Sequence, residues 1–325
     1  MRAIALFSGG LDSTLAVKVV REQGIDVTAL YVNIGFGSTK DRREHMENMC
    51  NQVGADFLEL DIRNQFVQDI LFSPKYGYGK NFNPCIDCHG NMFRVAKNMM
   101  KELDASFLIS GEVVGQRPMS QNMRAMESVL GLAEDEGLLL RPLSAKMLPL
   151  TVPEKEGWID REKLYGINGR GRHKQLELAE EFGLKDFDTP AGGCLLTEPY
   201  FAVKMRDFLK YDKFDVSDID VLKHGRHFRL KDGAKLVIGR NSEDNEYIKQ
   251  INSDKFQHLW LDGIVGPVSI LSKSASKDDL EFAMSGILTY TKAEDSVEYN
   301  FLWGDESYSS VRLENRGDIQ KLALK

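Results

Sequence analysis

The chain has little that would place it in a membrane or an oxidising compartment. Nowhere among its 325 residues do about 20 apolar residues run together, the length a membrane-spanning helix needs. The N-terminal "MRAIALFSGG" reaches a glycine pair too early to hold the apolar core of a secretion signal. A cytoplasmic location with no membrane partner is therefore expected. Four cysteines are too few for a disulfide scaffold at this length, and a CxxC in such a chain points to metal or redox chemistry instead. Positive charge is also short. Lys and Arg total 42 against 49 Asp and Glu, a formal net charge of -7, which excludes broad sequence-blind binding to phosphate backbones. Basic residues collect in two places only, "INGRGRHKQ" (Arg170, Arg172, His173, Lys174) and "KHGRHFRLK" (Lys223, Arg226, Arg229, Lys231). No internal repeat or low-complexity tract is present.

What remains is 42% hydrophobic residues, enough to bury a sizeable core and to build two or three domains. "RAIALF" is a short apolar run ended by "SGG". The following "LDSTLAVKVVREQG" has helical spacing, with Leu11, Leu15, Ala16, Val19 and Val20 on one face. Further strands are predicted at "VTALYVNIGF", "DFLELDI", "ASFLISGEV" and "GLLLRPL", with helices at "TKDRREHMENMCNQVG" and "NMFRVAKNMMKELD" between them. Such alternation predicts an α/β fold, a doubly wound parallel sheet covered on both faces, with ligands at the carboxyl ends of its strands. From about Leu150 the pattern changes. "PEKEGWIDREKLYGINGRGRHKQLELAEEFGL" reads as helical and charged, "FDTPAGGCLLTEPYF" as a Pro/Gly loop carrying Cys194, and "AVKMRDFLKYDKFDVSDIDVLKHG" as helical again. Beyond 224 the chain reads as strand-rich, with runs including "KLVIGR", "HLWLDG", "FAMSGILTYTKA" and "VEYNFLWG". Three regions follow: 1–150 as a nucleotide-binding domain, 151–224 as a helical segment carrying Cys194, and 225–325 as a small strand-rich domain.

"SGGLDS", Ser8 to Ser13, sits between the first strand and the first helix. There, free backbone amides and the positive end of the helix dipole favour an anion. Two glycines let a phosphate approach the backbone, and the serine hydroxyls add donors. The string lacks the lysine of a Walker loop. It resembles the SGGxDS signature of the PP-loop ATP pyrophosphatases, which adenylate a substrate oxygen and release pyrophosphate. That resemblance implies strand order 3-2-1-4-5. It also implies ATP phosphates on Ser8, Gly9, Gly10, Asp12 and Ser13, a magnesium ion beside Asp12, and adenine near Gly111.

Within that family, "NPCIDC" and the later lone Cys194 in "AGGCLLTEP" resemble segments of the tRNA 2-thiouridylases. "LISGEVVGQRPMSQ" resembles the strand-four nucleotide segment of the same thiolase group. The resemblance implies that a tRNA uridine oxygen is adenylated and replaced by sulfur, with Cys85, Cys88 and Cys194 as the sulfur-handling residues. A thiolate is the effective nucleophile, and a thiol near neutral pH needs help to reach it. The pattern of CxxC plus a distant cysteine is similar to the thiolase subtype in which three thiolates hold a [4Fe-4S] cluster and leave one iron open for sulfide. A two-cysteine persulfide route stays open. So does a zinc site with His89 as fourth ligand, which would suit a PP-loop ligase or synthase acting on a small molecule. Asp87 is a candidate base on the uracil N–H, while Cys50 falls on an apolar helix face.

"DGAKLVIGRNSEDNEYI" resembles the core of the NFACT-R module of RNA-linked proteins. It implies that Arg240 and Asn241 contact tRNA, and the basic patch makes Arg170, Arg172 and Lys174 candidates for the same task. A non-catalytic RNA-binding protein is the alternative outside enzymes. Trp260 and Trp303 are expected in the core of the small domain. A sulfur donor, either sulfide or a cysteine desulfurase relay, and a second copy of the chain complete the expected partners.

Overall fold

The structure, a computed structural model, describes residues 1–188 and 193–325. The chain divides into two compact units, Met1–Thr197 and Glu198–Lys325. Of the expected helical segment, residues 151–197 fall in the first unit and 198–224 in the second. Residues 189–192 of the predicted Pro/Gly loop lie outside the described residues.

The first unit runs β1 (Arg2–Leu6), α1 (Leu11–Arg21), β2 (Asp26–Asn33), α2 (Arg43–Val53) and β3 (Asp56–Asp61). There follow α3 (Arg63–Phe66) continued by a π-helical turn (Val67–Leu71), α4 (Cys85–Met99), β4 (Phe107–Ser110), α5 (Met123–Ala133), β5 (Leu139–Leu140), α6 (Val152–Lys155) and α7 (His173–Glu181). Its five strands lie in the order β3-β2-β1-β4-β5, every pairing parallel. This is the order the PP-loop resemblance implies. Helices cover the sheet: Leu15, Val17 and Val20 of α1 are fully buried beside Ala3, Ala5 and Ala29 of the strands. Burial on this scale stabilises at about 25 cal/mol per Å² of apolar surface. Cys50 lies in the same core, where burial pushes its thiol up to about 12.

"GLLLRPL" supplies β5, the expected fifth strand, of which Leu139 and Leu140 pair with β4. The charged stretch from 153 to 184 holds only the short α6, a 3-10 turn and α7. Glycines at 157, 169 and 183 with positive φ break it.

The second unit begins with α8 (Pro199–Tyr211) and α9 (Asp218–Lys223), then β6 (Arg226–Arg229), β7 (Lys235–Ile238), α10 (Ser242–Gln250), β8 (Phe256–Leu261) and β9 (Ser269–Ser272). It ends with α11 (Lys277–Leu288), β10 (Glu298–Trp303), β11 (Glu306–Val311) and α12 (Arg316–Gln320). Its six-stranded sheet has the order β11-β10-β8-β9-β7-β6, antiparallel throughout. "FAMSGILTYTKA", expected as strand, is mostly helix. Leu280, Ala283, Met284, Ile287 and Leu288 fall at helical spacing and are all buried. Ser276 caps α11 by accepting from the Asp279 amide. Trp260 is also corrected: it is 40% exposed and stacks on His258 with ring centres 4.9 Å apart. Trp303 packs against the core as expected.

Candidate functional site

The phosphate loop is built by its own hydroxyls. Ser13 Oγ donates to the Gly10 carbonyl at 2.9 Å and accepts from the Ser8 amide at 3.4 Å, and Thr14 Oγ1 donates to the same Gly10 carbonyl at 3.1 Å. Gly10 is the N-cap of α1 and no side chain caps that helix, so its first amides keep no side-chain acceptor. Gly9 has φ +71°, and a Cβ there would sit 2.7 Å from Met46 Cγ. Glycine is required on both counts. Gly111, just past β4, is packed onto the loop from the other side. A Cβ on it would lie 2.6 Å from the Asp12 carbonyl oxygen and 2.6 Å from the Ser13 amide. The end of β4 and the phosphate loop are thus in backbone contact, at the carboxyl edge of the sheet.

The three candidate cysteines come together. Cys85, Cys88 and Cys194 line one cavity of about 290 Å³ with His89, Arg117, Met119 and apolar Ile34, Phe66 and Met92. Backbone stitching between distant segments makes the convergence. The Phe82 amide donates to the Leu196 carbonyl at 3.1 Å and the Leu195 amide to the Phe36 carbonyl at 2.9 Å, while Asn81 Nδ2 donates to the Thr197 carbonyl at 2.5 Å. Asn83, of the "NP" before the CxxC, donates to Cys85 Sγ at 3.1 Å. Burial, reinforced by the neighbouring sulfurs, pushes the Cys88 thiol well up and the Cys194 thiol up to about 11. Among the described residues no group of three His, Cys, Asp or Glu side chains is placed to hold a metal ion. Thiolates that each bind a different iron need wider spacing than ligands of one ion. Cys85 and Cys88 stand three residues apart at the start of α4 and Cys194 comes from a distant segment, an arrangement compatible with that.

A buried charge relay that the sequence did not reveal ends at this cavity. Glu112 Oε1 lies 2.8 Å from His89 Nδ1, and Glu112 Oε2 accepts from Arg141 Nε at 2.9 Å. Both Glu112 and Arg141 are almost wholly buried. Burial alone would raise the carboxyl; Arg141 and His89 outweigh it and hold Glu112 at about 2, below its ordinary 4.5. A depressed carboxyl contributes stability at pH above 4.5, and that contribution disappears as the pH falls from there toward 2. Acid titration of the folded chain, followed by near-ultraviolet circular dichroism, is expected to show this loss in the wild type and not in Glu112→Gln. At neutral pH Glu112→Gln is expected to cost about 3–5 kcal/mol, since Arg141 stays buried without its counter-charge. A charged residue at the carboxyl end of each of two apolar strands, "LISGE" and "LLLR", was the available signal.

Other expected site residues are placed differently. Asp87 is buried and accepts from the Lys75 and Tyr76 amides at 2.7 and 3.0 Å. Both its oxygens hold the loop before α4, so it is not free to act as a base. Arg172 turns to the phosphate loop, its Nη2 3.4 Å from Asp12 Oδ2. Arg170 is exposed, and Lys174 pairs with Glu177 at 3.0 Å. Asn241 caps α10 by accepting from the Asp244 amide at 2.9 Å, and Arg240 is paired with Asp244 at 2.5 Å. Asn241 therefore has a structural task, and Arg240, though 47% exposed, is not an unengaged cation.

Residues 1–156 match the family described as tRNA methyl transferase HUP domain, and residues 225–316 match the NFACT protein RNA binding domain. The tRNA-specific 2-thiouridylase MnmA of Bacillus licheniformis is 23% identical over 94% of this chain and 86% of its own length. That of Staphylococcus aureus strain Newman is 23% identical over 77% and 72%, and that of Francisella tularensis subsp. novicida 22% over 70% and 63%. A solved 4-thiouridine synthetase in complex with RNA and bound ATP has 19% identity and a TM-score of 0.42, covering 68% of this chain and 52% of that one. No helix among the described residues is long and apolar enough to cross a membrane. By its loop motif and strand order the first unit resembles the PP-loop enzymes, and these matches make the chain similar to the tRNA 2-thiouridylases, with a match to the NFACT protein RNA binding domain in its second unit.

Proposed function

We propose that the protein is an ATP-dependent tRNA sulfurtransferase. The observation that carries the reading is the position of the segment 115–120. Gln116 Nε2 donates to Asp12 Oδ2 of the phosphate loop at 2.5 Å, while the next residue, Arg117, lines the cysteine cavity with Pro118, Met119 and Ser120. One short turn thus borders both sites, which supports a reading in which an activating phosphate and a sulfur source act on one substrate atom.

The chemistry requires that proximity. ATP sits on Ser8, Gly9, Gly10 and Ser13, with magnesium beside Asp12. The uridine carbonyl oxygen attacks the α-phosphorus and pyrophosphate leaves with the electron pair of the broken P–O bond. The oxygen, now esterified to AMP, has become a leaving group. Sulfur delivered at the cavity adds to the ring carbon, the carbon–oxygen bond breaks, and AMP departs with the former carbonyl oxygen. Uridine has exchanged oxygen for sulfur with no net redox change when the donor is at the sulfide level. Cys85, Cys88 and Cys194 would hold a [4Fe-4S] cluster, whose one iron without a cysteine ligand would bind that sulfide. The residues of the chain meanwhile exclude water through Ile34, Phe66 and Met92 and fix His89 through Glu112. The NFACT-type domain suits tRNA as the substrate.

Anaerobic purification followed by iron and acid-labile sulfide analysis, together with release of AMP from ATP on addition of tRNA in the presence of sulfide, tests the reading. AMP released only with tRNA, and iron lost on Cys88→Ala, support it. ADP as product, or AMP release indifferent to tRNA, refutes the function. A chain that works with no iron moves the sulfur to a cysteine persulfide and removes the cluster.

A further inference from the structure

The basic stretch 170–174 reads in sequence as an RNA contact, but its central arginine is built into the nucleotide site. Asn168 forms a parallel bridge with Val114, and the Gly169 amide donates to the Val114 carbonyl at 2.7 Å. These bonds fasten the segment to the turn that follows β4. Gln175, fully buried at the start of α7, donates to Gln116 Oε1 at 2.9 Å, and Gln116 in turn donates to Asp12. Arg172 reaches the same Asp12 oxygen and is itself only 20% exposed. Asp12 Oδ1 is buried and has no hydrogen-bond partner. A carboxylate with one oxygen gripped by an amide and a guanidinium, and the other unmatched, is poised for a further ligand.

We infer that Arg172 is a phosphate-positioning residue of the nucleotide site, paired with Asp12 in the free chain and transferred to the β- and γ-phosphates when ATP and magnesium engage the loop. Gln175 and Gln116 hold Asp12 in register during the exchange. A guanidinium suits this task because its planar fork presents two donors to phosphate oxygens in a fixed geometry, whereas a lysine ammonium acts as a point charge. Asp12 would hold the magnesium once Arg172 moves to the phosphates, so neither the carboxylate nor the arginine would be left unpaired. The inference rests on the ATP-dependent reading above, but it concerns the nucleotide and not the sulfur step.

Calorimetric binding of ATP and of AMP, each with magnesium, to the full chain tests it, with tRNA binding measured beside them at fixed salt. Arg172→Ala is expected to weaken ATP about ten- to a hundredfold while AMP, which has no β- or γ-phosphate, and tRNA bind as in the wild type. Arg172→Lys should recover part of the ATP affinity. Arg172→Gln, shorter and uncharged but still polar, should fold where alanine does not and show the same selective loss. Unchanged or tighter ATP binding overturns the inference, as does weakening of ATP and AMP alike. Loss of tRNA affinity with ATP intact also overturns it and returns Arg172 to an RNA contact. A wild type that binds no ATP sinks this inference together with the proposed function. A selective ATP effect in a chain that transfers no sulfur leaves the inference standing and removes only the transfer.

Discussion

Replacing Cys85, Cys88 or Cys194 singly by alanine is expected to abolish sulfur transfer to tRNA while leaving ATP binding at the wild-type level. The three thiols line one cavity, but none of them is among the residues that shape the phosphate loop. Groups that act as one unit lose most of their effect when any member is removed, so each single change should cost on the order of 10³-fold or more. The double and triple changes should then add little. That non-additivity is the useful part of the result. Three independent thiols, each contributing separately, would give losses that multiply. Cys50→Ala provides the control. It removes a core sulfur that is 1% exposed, so it should lower stability modestly and leave turnover of the folded fraction unchanged. Transfer rates measured by mercury-gel mobility of the tRNA, with ATP affinity from calorimetry, separate these cases.

The second large effect is expected from a methyl group. Gly111→Ala would place a Cβ 2.6 Å from two backbone atoms of the phosphate loop, and backbone cannot swing aside as a side-chain tip can. The loop and the end of β4 must part by a substantial fraction of an ångström. Displacement on that scale costs catalysis on the order of 10²-fold even when the reacting groups are intact. We expect tRNA-dependent AMP release to fall by about that factor. Overpacking should destabilise the fold by about 1–3 kcal/mol. Gly131→Ala, at a helical site with nothing within 4 Å of the new Cβ, should do neither. Equal AMP release from Gly111→Ala and wild type would mean that the contact between β4 and the loop has no part in activation.

Much of this arrangement was legible because it is local. "SGGLDS" after "RAIALF" marks a strand, a glycine turn and a helix within some twenty residues, and alternating apolar runs bring the parallel order with them. The cysteine cavity was legible in its members but not in its making. Nothing in "NFNPC" or "GCLLT" announces that Phe82 will bond to Leu196, because a backbone pairing between distant segments leaves no mark in either. Glu112 and Arg141 escaped notice for a similar reason: each is an ordinary charged residue until the sheet sets β4 beside β5. Local pattern also misled. "GILTYT" is rich in β-branched and aromatic residues, yet the apolar spacing that begins at Leu280 and the cap at Ser276 win, and α11 forms. Asn241 and Arg172 carry a second task that residue type does not announce, one at a helix end and one beside a phosphate-loop carboxylate.

The most direct test of the central claim is nucleoside analysis of tRNA incubated with the anaerobically prepared chain, ATP, magnesium and a sulfide source, with AMP counted in the same tube. The account predicts one thiolated uridine for each AMP formed, and neither product when Asp12 or Cys194 is replaced. Sulfur entering tRNA without ATP consumption would contradict it, as would AMP accumulating while every uridine keeps its oxygen.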